Sequence, residues 1–139
     1  MQPGTAEKPG AQDGADVIHE TLPALKPHIF ADVFASAADG ALPWQPFRQG
    51  IEICRLYEEP DGASAAFLRY APGARLQRHR HRGYELIFVL SGSQTDDHGE
   101  HRMGAMLVSP PGSTHAVSTS QGCVVLAYWE KPVLFLPDE

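Results

Sequence analysis

The stretch Gly73-Ala-Arg-Leu-Gln-Arg-His79-Arg-His81-Arg-Gly-Tyr-Glu85 holds the residue types that do chemistry. His79 and His81 are one residue apart. On a strand that spacing puts both imidazoles on one face, within reach of a single ion. Arg78, Arg80 and Arg82 alternate with them and must point the other way, toward water. Gly83 permits a bend, after which Glu85 can bring a carboxylate to the same centre. His115 follows Pro110-Pro-Gly-Ser-Thr, where a tight turn would aim its ring inward. Three imidazoles and one carboxylate form a borderline nitrogen and oxygen ligand set. It suits one divalent ion (Fe, Zn, Mn, Ni or Cu), and the residues do not choose among them. With a dication the site carries a net positive charge. Open coordination positions would take an anionic oxygen ligand or O₂.

These side chains need a rigid frame, and the sequence predicts one made of strands. From Ile51 onward, apolar alternation and turn signals recur roughly every 8–12 residues, as in a sandwich or barrel. Strands are expected at 50–57, 64–70, 84–90, 94–97, 100–103, 106–109, 115–118, 123–129 and 133–136. Glu59-Pro-Asp-Gly, Ala71-Pro-Gly, Ser91-Gly-Ser and Ser120-Gln-Gly read as their stops, and His98-Gly99 as a hairpin tip. Parity on the strand after Gly83 sets Glu85, Ile87 and Val89 on one face, so Ile87 and Val89 are expected to line the pocket. Leu86, Phe88 and Leu90 then face the other sheet or a partner subunit. Arg69 and Tyr84 are further pocket candidates, although packing accounts for them equally well.

Residues 1–16 read as a disordered N-terminal tail and 17–139 as a single domain with its core at about 44–131. Pro23 and Pro27 forbid one long helix over 17–34, leaving a short strand or single helical turns. Residues 35–42 read as a small-residue loop. Pro43-Trp-Gln-Pro-Phe reads as an extended segment with an aromatic anchor.

The chain has 139 residues, room for one domain. Its 13 Gly and 12 Pro favour turns and short strands over long helices. Seventeen acidic against 11 basic side chains leave a charge of −6, which argues against a nucleic-acid partner. The Arg run at 75–82 is accordingly read as a solvated or interfacial strand face. No N-terminal apolar stretch suggests a secretion signal, and the best apolar runs, 86–90 and 123–129, are too short to span a bilayer. A cytoplasmic protein without membrane contact is expected. Cys54 and Cys123 form no CxxC pair and read as buried reduced thiols. His19 and His28 read as surface or edge residues, His98 and His101 as solvated turn residues.

The chemistry-bearing residues also resemble a family. Gly73, His79, His81, Glu85 and Gly92 are similar to the first cupin motif, and Gly104, Pro110, Gly112 and His115 to the second. Thr119 departs from the second motif, where the family has Asn. Finer runs, including Thr95-Asp-Asp-His-Gly and Ser120-Gln-Gly-Cys-Val-Val-Leu, resemble the ChrR-type cupin group over about 44–131. The resemblance implies an all-β fold: a single cupin (double-stranded β-helix, jelly-roll) barrel with a short N-terminal extension. It implies that His79, His81, Glu85 and His115 ligate one metal ion, since metal-free cupins usually lack one or more of these. The leading activity it implies is a non-haem metal (Fe) dioxygenase cleaving a small diketone- or phenol-like substrate. Glu85 is the candidate catalytic residue, as a base that releases the metal when substrate binds. A plain ligand role is the simpler reading. Alternatives are a non-catalytic ChrR-like metal or ligand sensor and a metal-dependent isomerase or lyase. The anti-sigma role of ChrR-type proteins is not carried over, because the first fifty residues have no Cys and are rich in Pro. A homodimer is expected, mainly by resemblance.

Overall fold

The computed structural model describes residues 26–38 and 40–137. The expected tail at 1–16, and 17–25 with His19, lie outside the described residues. Among the described residues one short helix, α1 (Val33–Ala38), precedes ten strands. These are β1 (Gln45–Arg48), β2 (Ile51–Glu58), β3 (Ser64–Tyr70), β4 (Arg75–Arg80), β5 (Glu85–Asp96), β6 (Gly99–Arg102), β7 (Met106–Ser109), β8 (Thr114–Ser118), β9 (Cys123–Trp129) and β10 (Leu134–Phe135). They pair in the order β1-β2-β3-β9-β5-β8-β4-β10, with β6 and β7 also on β5. The fold is the expected all-β architecture.

The long strand β5 carries the fold's main correction to the sequence reading. Two strands were expected, separated by a stop at Ser91-Gly-Ser. The structure has one strand that crosses from the β9 side to the β6 and β8 side. The register slips between Val89 and Ser91, a bulge that lets the strand bend between sheets. Gly92 follows with φ 67°. A Cβ there would sit 2.1 Å from the Gly122 carbonyl oxygen, so no side chain fits. Thr119 seals the same junction: its hydroxyl donates to Ser93 O at 2.7 Å and accepts from Gly122 N at 2.9 Å.

Two apolar clusters flank the wall. Inside the barrel lie Ile51, Ile53, Leu68, Val89, Val125 and their neighbours. Outside lie Cys54, Phe67, Leu90 and Val124, covered by Phe30, Val33, Leu42 and Trp44. Phe88 and Leu90 are therefore packed by the chain's own N-terminal segment, where the other sheet or a partner was expected. That segment holds the second correction, since 35–38 was expected to be loop. Asp32 accepts bonds from Phe34 N and Ala35 N, capping α1, and its alanines are good helix formers. Cys54 and Cys123 form no disulfide and are buried on opposite faces, and burial pushes the Cys123 thiol up to about 12. No helix among the described residues is long and apolar enough to cross a membrane.

Candidate metal centre

His79 lies on β4 and pairs directly with His115 on β8. His81 sits just past the end of β4, clamped by His81 N→Ser113 O (2.8 Å) and Gly112 N→His81 O (2.7 Å). Gly112 makes that clamp at φ 93°, a turn that L side chains rarely adopt. Glu85 opens β5, held between Ser109 and Trp129. The ligand atoms of the four side chains lie within 4.8 Å of one another. All four residues are at most 4% exposed.

The hydrogen bonds around the rings determine how they present themselves. His79 Nδ1 lies 2.9 Å from Gln77 O, and a carbonyl can only accept. His81 Nδ1 lies 2.8 Å from Ser113 Oγ, whose own hydrogen goes to Pro110 O at 2.7 Å. His115 Nδ1 lies 2.9 Å from the Asp96 carboxylate. Each Nδ1 therefore donates, which leaves each Nε2 with a free lone pair. Glu85 Oε2 accepts from Trp129 Nε1 at 2.7 Å. That leaves Glu85 Oε1 only 3.0 Å from His81 Nε2 and 3.8 Å from His115 Nε2. Among the described residues, both His81 Nε2 and Glu85 Oε1 are buried without a hydrogen-bond partner. With the ring neutral, two lone pairs facing each other in a buried site are unfavourable. A cation shared between them removes the conflict, so these residues fit one divalent ion.

Electrostatics agree with that picture. Burial lowers the pKa of His79, keeping its ring neutral and ligand-competent. Burial opposes the ionised form of Glu85; a proton shared with His81 and positive charge on the imidazoles would hold it below the usual range, a role that a bound cation takes over when the rings are neutral. Burial likewise opposes ionisation of Asp96, and hydrogen bonds from His101, His115 and the His98 amide win.

Asp96 is the site residue that the sequence reading missed. Its Oδ1 bonds His101 Nε2 at 2.8 Å and its Oδ2 bonds His115. His101 is thus tied to a ligand through one carboxylate, where a solvated turn residue was expected. His98 is exposed in the turn, as expected, and His28 is exposed and stacked on Phe30. Beside the metal site is a small cavity of about 20 Å³, partly open to solvent. Its walls include His79, Glu85, His115, Ile87, Trp129 and Phe135. Val89 is buried deeper in the apolar interior. Arg69 is not brought to the cavity: it pairs with Glu52 at 2.7 Å and lies over the Trp44 ring on the outer face. Tyr84 is half exposed.

A barrel of this topology, with three inward imidazoles and one carboxylate, defines a metal-binding cupin. The profile of the ChrR cupin-like domain family matches residues 34–131, and the chain belongs to that family. Solved structures with the same fold include an RmlC-like cupin from Ralstonia eutropha, at 19% identity and TM-score 0.65, covering 72% of this chain and 71% of that one. The anti-sigma ChrR of Rhodobacter sphaeroides, solved in complex with SigE, aligns at 20% identity and TM-score 0.63 over 94% of this chain and 70% of that one. An acetylacetone dioxygenase from Acinetobacter johnsonii aligns at 16% identity and TM-score 0.66 over 84% and 81%. No curated protein matches at a significant level.

Proposed function

We propose that this cupin is a non-haem metal dioxygenase acting on a small diketone- or phenol-like molecule. The carrying observation is the ligand set: three imidazoles, each anchored through Nδ1, around a carboxylate with an unpaired oxygen. An iron ion held there would supply the redox and Lewis-acid chemistry for O₂ and an anionic substrate. The chain's residues do the rest. His79, His81, His115 and Glu85 hold the ion. Ile87, Trp129 and Phe135 exclude water and shape the apolar wall. Glu85, braced by the indole of Trp129 at Oε2, takes a proton at Oε1 only on releasing the ion as substrate binds. The fold likeness to an acetylacetone dioxygenase supports this reading without carrying it.

O₂ uptake tests it, on iron-loaded protein offered acetylacetone and simple phenols. Substrate-dependent uptake, absent from His81→Ala and from zinc-loaded protein, is expected. No uptake above that of His81→Ala would overturn it. One observation favours a second reading, a metal or ligand sensor: the cavity, about 20 Å³, holds little beyond an ion and roughly one water. A cytoplasmic homodimer remains part of the proposal. Exposed Met106 and Val108 on β7 offer it an apolar edge, and sedimentation at micromolar concentration checks it.

A further inference from the structure

A second depression lies outside the barrel wall, between the β1–β2 turn, β4 and Pro137. It is an open groove of about 550 Å³, lined by Arg48, Gln49, Arg75, Gln77 and Arg78 and, among the described residues, by no carboxylate. Asp97 occupies Arg78 at 3.0 Å. Arg48 and Arg75 are exposed and have no carboxylate partner among the described residues. Among the described residues these two guanidinium groups share one groove with no carboxylate to neutralise them. Their planar fork matches a carboxylate.

The groove and the metal cavity are neighbours. Leu76 belongs to the wall of both. The Arg48 guanidinium carbon lies 4.2 Å from the Phe135 ring centre and 5.0 Å from that of Phe47. Both rings wall the metal cavity. Phe135 belongs to β10, two residues paired to β4 through Leu134↔Arg80 and Phe135↔His79. Leu136 N→Arg78 O at 2.9 Å and a bond from Gln77 Nε2 to Leu136 O complete its hold. The cavity is partly open to solvent, but with room for roughly one water beside an ion it takes an organic molecule fully inside only if a wall moves. Short edge strand β10 is the wall element that can move without breaking the barrel's central pairings.

We propose that the groove receives a small organic anion bearing a carboxylate, held by Arg48 and Arg75, and that Phe135 is the gate through which it reaches the metal cavity. This rests on the reading that the centre takes a small organic substrate, and adds that substrate's charge and route. Arg48 links the two parts. Its cation–π hold on Phe135 weakens when a carboxylate neutralises the guanidinium, so arrival of the anion loosens the gate.

The test uses zinc-loaded protein, in which no turnover intervenes. The probes are 4-hydroxybenzoate and its neutral isostere 4-hydroxybenzamide, followed by calorimetry and stopped-flow fluorescence. Wild type is expected to bind the anion at least roughly ten-fold more tightly. The double variant Arg48→Gln/Arg75→Gln should lose that preference at an unchanged melting temperature. Phe135→Ala, with Phe135→Leu as the milder variant, should speed association by about ten-fold and keep the preference. Equal binding of the two probes by wild type would overturn the groove. So would a preference that survives in the double arginine variant, which would place the anion on the metal. An unchanged association rate in both Phe135 variants would overturn the gate. None of these readings uses O₂, so failure of the dioxygenase reading shows separately, as missing O₂ uptake.

Discussion

The barrel interior has two halves that strand β5 joins in a single run. Around Val89 the interior is wholly apolar, with Ile51, Ile53, Val125 and Ala127. Around Glu85 it is a nest of imidazoles and a carboxylate. The apolar half stabilises the fold whatever is bound, since each buried side chain contributes about 1.5–3 kcal/mol. The polar half works in the opposite sense. Desolvating a carboxylate and three rings costs stability until a cation shares their lone pairs. Fold and site are therefore separable in energy although they share strands.

Breaking the apolar half should give the largest effect. Ile53→Ala is expected to lower unfolding stability by about 2–5 kcal/mol in urea, while the folded fraction keeps its metal. Next comes metal removal. Zinc at roughly a hundred times its dissociation constant should add about 2.7 kcal/mol to stability by mass action. That increment should vanish in His81→Ala, as thermal melts with and without chelator will show. Asp96→Ala should be smaller again. It removes the partner of His115 Nδ1 and should weaken metal binding about 10–100-fold in competition with a chromophoric chelator. A loss equal to that of His81→Ala would mean that Asp96 holds up the fold rather than orienting a ligand.

The smallest effect is the response of the metal-free protein to mild acid. The pKa of His79 is lowered in the fold, so below the ordinary imidazole value of 6.5 the unfolded chain binds a proton that the native state refuses. Stability should fall with pH there, by less than about 1 kcal/mol between pH 7 and 6. Glu85 and Asp96 are also lowered, so their contributions persist above the ordinary carboxylate values and are lost as pH falls through the native ones. A flat melting profile down to pH 5 would contradict the buried neutral ring.

The four candidate ligands were legible because strand parity is a local rule: His79 and His81 share a face, and the arginines between them point outward. Asp96 was hidden by the same rule. Parity carried forward from Glu85, Ile87 and Val89 aims even-numbered residues outward. The slip between Val89 and Ser91 reverses it, and Gln94 and Asp96 turn inward. Gly92 was the available signal, since a lone glycine in a strand pattern marks a bulge as readily as a stop. Arg69 could have been placed from its neighbours, because Leu68 and Tyr70 take the inner face of β3. The pairing of Phe135 with His79 joins residues far apart in the chain, and no local pattern encodes it.

The central claim is that His79, His81, Glu85 and His115 bind one divalent ion. Metal content tests it most directly, measured by mass spectrometry on protein purified anaerobically without a chelating tag, beside His81→Ala. About one equivalent in wild type, lost in the variant, is the expected result. No metal in either protein, under conditions where both are folded, would contradict it.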